Sequence, residues 1–414
     1  MFRSLVSRLL TVVGHRDKLT FAADPSTKKQ LVLEKEHRAN SDPPIPTQAH
    51  KPHFASSPPQ LLLLLLLFHL ACPLATSLLH SSPFSSMSDL YPVPLGIAAY
   101  LGYSGYRKGS LSLSGAVTAS LVGYATMANP FVGYGLTLIT FYLVGSKATK
   151  FKASVKAKLE THSPPDSPSP QKQRDTSLGN RTAVQVLCNS ATAVAACIAV
   201  RVLSRGQVDP LGTRSLSEVE VGGWRWGVTS LGLTLVVAGH YAACMGDTLA
   251  SELGILSKTQ PRLVTNPFRK VPPGTNGGVS PLGLTVSALG GTLIGVITSI
   301  SLLIHYRFSP PSFSTAPTLQ THVKLISLLT ASGLFGSLLD SILGATLQQT
   351  LYNKSSKKIL IGQITDVLDA KKQDDPNAAW EKVTGWNVLD NNAVNFVASA
   401  LTAVMTVWVG SKVF

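Results

Sequence analysis

Two short stretches of this 414-residue chain concentrate the residue types that chemistry on an anion requires. The first reads Gly246-Asp247-Thr248-Leu249-Ala250-Ser251-Glu252-Leu253-Gly254. On a helix, Asp247, Ala250 and Gly254 share one face at i, i+3 and i+7. One carboxylate beside two small residues lets a bulky anionic ligand and its metal approach closely. Mg²⁺ is usually held by one or two carboxylates together with substrate phosphates, which makes Asp247 the expected metal ligand. Glu252 is a second carboxylate near in sequence, but it lies about 140° around an ideal helix from Asp247. Both can serve one ion only if the helix breaks between them. The second stretch runs Lys270-Val271-Pro272-Pro273-Gly274-Thr275-Asn276-Gly277-Gly278-Val279-Ser280-Pro281. Ser280 and Pro281 form a good N-cap and N1 pair, and a glycine-rich loop entering a helix there offers backbone N–H groups to an anion. Lys270 and Arg269 would add charge, Thr275 and Asn276 donors. The spacing is not that of a Walker A loop. The competing reading is a plain turn ahead of an apolar helix.

A third feature is Asp340, which shares a helical face with Gly344 and Gln348 inside an apolar run. A charge within a membrane span is expensive and usually faces a cavity or a partner. Asp340 therefore reads as a second metal contact, as a group that orients an acceptor, or as a hydrogen-bond partner of a neighbouring helix. Gln185 and Asn189 sit at i, i+4 on another apolar run, where bonds between packed helices explain them equally well. Asp390-Asn391-Asn392 and Asn395 open the last apolar run, either as an N-cap or as part of the same site. His240 reads as a packed histidine. No Ser/His/Asp order and no His/Cys cluster recommends hydrolase or zinc chemistry.

The elements that must hold these residues are apolar helices. Only 14% of the chain is charged and 44% is hydrophobic, with 33 glycines. That composition is unlike a soluble globule, where charge averages roughly 25%. Cys72, Cys188, Cys197 and Cys244 all lie in apolar runs without metal-ligand spacing, which excludes a disulfide scaffold. The net charge of +15 lacks the aromatic-interleaved patch of single-strand binders, so nucleic acid is not an expected partner. Apolar runs occur at 91–106, 113–128, 130–144, 183–203, 226–245, 281–306, 324–347 and 393–413, some near the ~20 residues that span a bilayer. The expected fold is an all-α, polytopic integral membrane helix bundle of about eight spans. Runs 113–128 and 130–144 are short enough to be two tight spans or one re-entrant pair. Lys and Arg crowd the loops 147–182, 246–280 and 349–391, which places these in the cytosol. Residues 1–86 differ in character from 87–414 and read as a variable extension. Its Leu-rich segment 61–79 is a spanning helix or a late signal anchor, unless the working start is Met87.

Four separated motifs in this order resemble the transmembrane protein 19 family, which includes the plant phytyl-phosphate kinase. They are 246–254, 272–280, Leu339-Asp340-Ser341 with Gly344-Ala345, and Leu389-Asp390-Asn391-Asn392-Ala393-Val394-Asn395. A more distant similarity links Asp247-x-x-Ala250-x-x-x-Gly254, Lys270 and Gly274-Thr275 to dolichol and phytol kinases that use CTP. The resemblance implies Mg²⁺ and a nucleoside triphosphate as co-substrate, CTP being the donor in the dolichol and phytol kinases. It implies Asp247 as the residue that helps hold Mg²⁺-nucleotide, on a small-residue face with Ala250 and Gly254, and Lys270 with Gly274, Thr275, Asn276, Gly277 and Gly278 as the phosphate-contacting set. The residues themselves, apart from the resemblance, add Asp340 as a second catalytic group and Glu252 as a second candidate metal ligand. The partners would be membrane lipid and an isoprenoid substrate. The alternatives are a transporter or channel with its site at broken helix ends, or a non-catalytic membrane protein. The endoplasmic reticulum membrane is the default location, with the plastid envelope second.

Overall fold

The computed structural model describes residues 91–156, 158–161, 180–204, 208–221, 224–308, 316–360 and 380–414. The extension 1–86, with the apolar segment 61–79, lies outside the described residues. The described part opens with α1 (Pro92–Arg107), α2 (Leu113–Met127) and α3 (Gly133–Lys150). Ser112 caps α2, its Oγ accepting from the Gly115 N–H at 3.0 Å. Between α2 and α3 the chain breaks at Asn129-Pro130, where the Asn129 amide donates back to Ala125 and Thr126 carbonyls. A short α4 (Ala153–Lys156) and β1 (Glu160–Thr161) follow.

The run 183–203, expected as one helix, is two: α5 (Ala183–Cys188) and α6 (Ala191–Leu203). The Asn189-Ser190 break leaves carbonyls without helical partners. His240 Nε2 meets the Asn189 carbonyl at 3.1 Å, with the Cys244 thiol at 3.9 Å. His240 is thus a packed histidine that satisfies a broken helix. After β2 (Ser215–Val221) and β3 (Trp224–Thr229), which form an antiparallel hairpin, comes α7 (Ser230–Gly254). The helix starts later than the apolar run 226–245 because Trp226 belongs to β3, and Thr229 caps it through the Gly232 N–H.

Helix α7 is the axis of the fold. It packs against α3, α6, α8 (Pro281–Phe308), α9 (Leu319–Leu347) and α10 (Asn391–Val413). Among the described residues α8, α9 and α10 are long and apolar enough to cross a membrane, and α2 and α6 are shorter apolar helices. Helices α7, α8 and α9 meet through glycine. A Cβ on Gly290 would lie 2.9 Å from Gly246 Cα, and one on Gly333 would lie 2.7 Å from Gly291 Cα. Such contacts let backbones close up where lipid supplies no hydrophobic drive between helices. Hydroxyls bridge the same bundle: Tyr134 to Thr234 at 2.9 Å, Thr292 to Thr330 at 2.8 Å, and Ser332 to Thr406 at 2.8 Å.

The fold is mostly helical but not all-α, because the long loops fold into strands. β4 (Arg262–Leu263), β5 (Asn266–Lys270) and β6 (Gly278–Val279) form a three-stranded sheet in the order β5-β4-β6. β7 (Thr350–Asn353), β8 (Lys358–Leu360) and β9 (Trp380–Thr384) join β1 in the order β1-β8-β7-β9. Backbone groups outside helices need partners, and strand pairing provides them while burying Leu351, Ile359 and Leu360. Arg269 donates to the Val383 carbonyl at 3.0 Å, tying the two sheets together. The three lysine-rich loops therefore meet at one end of the bundle.

Candidate functional site

A cavity of about 1510 Å³ opens where these loops meet the helices. Asp247 projects from α7 with Ala250 one turn on, and both line it. Asp340, Ser341, Gly344 and Gln348 line it from α9, and Asp390, Asn391, Asn392 and Asn395 from the start of α10. Asp390 also caps α10, its Oδ1 accepting from the Ala393 N–H at 2.9 Å. The two readings open for that motif hold together.

Asp247 and Asp340 act on one another electrostatically and also share a smaller recess with Asn395 and Cys244. Asn395 donates to Asp340 Oδ2 at 2.9 Å in the amide orientation that also satisfies the Asn391 carbonyl. Among the described residues neither carboxylate has an ion-pair partner. Two carboxylates are hard oxygen donors of the kind Mg²⁺ takes. Among the described residues no group of three His, Cys, Asp or Glu side chains gathers around them. An ion there would draw its remaining ligands from water and a phosphate, as Mg²⁺ commonly does.

Glu252 is placed differently. Helix α7 runs unbroken through Gly254, so Glu252 faces α3 and α4 rather than Asp247. Its carboxylate pairs with Lys156 and accepts from the Thr149 hydroxyl at 2.7 Å. Lys156 also donates to the carbonyls of Ala148 and Thr149, at 3.1 and 2.7 Å, which uses all three of its donors. This pair, buried at Lys156 and half-buried at Glu252, packs against the end of α3 and lines another part of the cavity wall. Gly254 lines the cavity too, yet its chief contact is helix packing: a Cβ there would lie 3.0 Å from Gly283 Cα.

The glycine-rich loop lines the cavity with Gly274, Thr275, Asn276, Gly277 and Gly278. Ser280 caps α8 as its sequence suggests, accepting from the Gly283 N–H at 3.1 Å. The loop does not present a row of free N–H groups. Thr275 N–H is bonded to the Pro272 carbonyl, Asn276 N–H to Thr350 Oγ1 and Gly278 N–H to the Thr275 carbonyl. Instead it presses on α9. Gly277 has φ +77°, and a Cβ there would lie 2.6 Å from the Ser341 carbonyl. Only glycine fits that backbone and that gap. Lys270 stands exposed on β5 and does not line the cavity.

The cations that line the cavity come from other parts of the chain. Arg181, just ahead of α5, lines it, as do Lys108 and Lys150. The Arg181 backbone pairs with Ser110 and Ser112 beside the capped start of α2. Burial draws its guanidinium pKa below the ordinary range and nearby Glu252 pulls it back; an arginine keeps its charge regardless. Sequence reading passed over Arg181 because nothing in its neighbourhood marks it as more than one cation of a basic loop. On the far side the cavity continues between α1, α2 and α3, along Ala98, Leu101, Val122, Met127 and Ile139.

A mostly helical bundle with long apolar helices and a polar cavity at one end defines an integral membrane protein. The integral membrane protein DUF92 family matches residues 96–403, and the chain belongs to it. It is 34% identical over 310 residues to Protein PGR of Arabidopsis thaliana, covering 75% of this chain and 92% of that one. It is also 34% identical over 108 residues to the "Uncharacterized membrane protein MJ0933" of Methanocaldococcus jannaschii, covering 26% of this chain and 37% of that one. These matches agree with the transmembrane protein 19 resemblance carried by the four motifs. No solved structure matches the chain.

Proposed function

We propose that this protein is a membrane-embedded kinase that transfers a phosphoryl group from a nucleoside triphosphate, CTP being the first candidate, to a prenyl alcohol or prenyl monophosphate. The observation that carries this reading is the pairing of Asp247 with Asp340 on a cavity that also reaches an apolar space between α1, α2 and α3. Asp247 and Asp340 would hold Mg²⁺, and Asn395 fixes the Asp340 carboxylate. The ion, when bound, neutralises charge on the phosphates during transfer. The acceptor oxygen forms a bond to the γ-phosphorus while the bond to the bridging oxygen breaks and the nucleoside diphosphate leaves; an alcohol acceptor gives up its proton to water, whereas a monophosphate attacks through an oxygen already ionised. Phosphoryl transfer asks the protein mainly for positioning and charge stabilisation. Asn276 offers a side-chain amide, and the glycine loop shapes the wall between α8 and α9. Glu252, held by Lys156, supports the site from outside the metal position.

The same reading includes about eight spans, with loops 147–182, 246–280 and 349–391 in the cytosol. It places the protein in the endoplasmic reticulum membrane, with the plastid envelope as the alternative address. The test is purified full-length protein with prenyl alcohols, prenyl monophosphates and a panel of nucleoside triphosphates. Mg²⁺-dependent formation of a phosphorylated prenyl product is the expected result. No product with any pair overturns the kinase reading. The break between α5 and α6 favours a second reading, transport, because transporters use discontinuous helices at their sites. Substrate flux into proteoliposomes without turnover would select it.

A further inference from the structure

We propose that Arg181 is the residue that grips the anionic head of the lipid acceptor, a phosphate monoester, while the acceptor's tail lies between α1, α2 and α3. The inference deepens the kinase reading by assigning the lipid side of the same cavity. Among the described residues no hydrogen bond or ion pair takes up the guanidinium, although Arg181 is partly buried and lines the cavity. Lys156, the other buried cation nearby, has no such freedom, because its donors are spent on Glu252 and two carbonyls.

The placement is specific. Gly145 on α3 stands between Arg181 and the Asp247 turn of α7: a Cβ there would lie 3.6 Å from Arg181 Nη2 and 3.5 Å from Thr248 Cγ2. The missing side chain keeps that space open beside the helical turn that carries Asp247. On the other side, Leu101, Val122 and Ile139 line the same cavity. A ligand with a charged head at Arg181 and an apolar tail among these residues matches both linings. A guanidinium holds a phosphate through two parallel N–H bonds, which an ammonium cannot reproduce. Arg181 would thereby present the monoester toward the Asp247 and Asp340 side.

Binding is measured on the full-length protein in nanodiscs, with farnesyl monophosphate, farnesol, inorganic phosphate and Mg·CTP as separate probes. Arg181→Gln should weaken farnesyl monophosphate binding at least tenfold and leave farnesol and Mg·CTP within twofold of wild type. Arg181→Lys keeps the charge without the fork and should weaken the monophosphate severalfold; it carries the test if Arg181→Gln does not fold. Thermal melts establish that each variant is folded. The assignment is overturned if folded variants bind farnesyl monophosphate as wild type does. It is also overturned if inorganic phosphate or CTP binding falls as much as lipid binding, which would make Arg181 a site for soluble phosphate. Binding needs no turnover, so the two ideas fail separately. Arginine-dependent lipid binding by a protein that forms no product sinks the kinase alone.

Discussion

A carboxylate within a membrane helix costs several kcal/mol unless something compensates it, and Asp247 has no cation beside it among the described residues. Asp340 lies within its electrostatic reach, so the two add to the cost instead of relieving it. A bound divalent cation would relieve both at once. Asp247→Asn preserves shape and removes the charge. It should abolish Mg²⁺-dependent nucleotide binding and cost about 3 kcal/mol of transition-state stabilisation, roughly a hundredfold in rate, by comparison with single preorganised groups elsewhere. The measurement is turnover beside a thermal melt; wild-type activity in folded Asp247→Asn protein would refute the assignment. Asp247, Ala250 and Asp340 were legible as cavity residues because each is a conspicuous polar or small residue at helical spacing. The pairing of Glu252 with Lys156 was not legible, since the two are far apart in sequence and meet only because α4 folds back on α3.

Helices α7, α8 and α9 show how small residues set geometry. Gly246, Gly290, Gly291 and Gly333 bring three backbones into contact, and this contact sets how far α7, with Asp247, stands from α9, with Asp340. Gly333→Ala would place a methyl 2.7 Å from Gly291 Cα and 2.9 Å from the Ser287 carbonyl, both backbone atoms that cannot rotate away. We expect a loss of about 1–3 kcal/mol, the usual cost of overpacking, read as a lower melting temperature in detergent. An unchanged melt would show that the helices can part without penalty. The abundance of glycine was plain in the sequence, but which glycines face which was not, because a glycine stripe fits several partners. The break at Asn189-Ser190 was also hidden. No proline or glycine marks it, and it persists because His240 on another helix bonds the carbonyl it frees.

The loops 147–182, 246–280 and 349–391 converge through the β1–β8 pairing and the Arg269–Val383 bond. Convergence at one end is what a shared membrane face would produce, and in the proposed arrangement their lysines and arginines would put that face in the cytosol by the positive-inside rule. The arrangement is tested by accessibility tags near Ser167 and at Phe414. With about eight spans, the two tags should report opposite faces. Both on one face would overturn the span count, and with it the cytosolic placement of the cavity mouth.

Low charge, long apolar runs and four ordered motifs were enough to establish a helical integral membrane protein and its family, because hydropathy and motif order are properties of the chain read one residue at a time. They also singled out Asp247 and Asp340. Lys270 and Arg181 mark the limit. Lys270 is adjacent in sequence to the glycine loop yet does not line the cavity, since it lies on β5, an edge strand of the three-stranded sheet whose residues are all exposed. Arg181 is far from every motif yet lines the cavity, because its backbone is pinned against Ser110 and Ser112 at the start of α2. Charge near a motif is a matter of sequence distance; charge near a ligand depends on how the loops close over the helices.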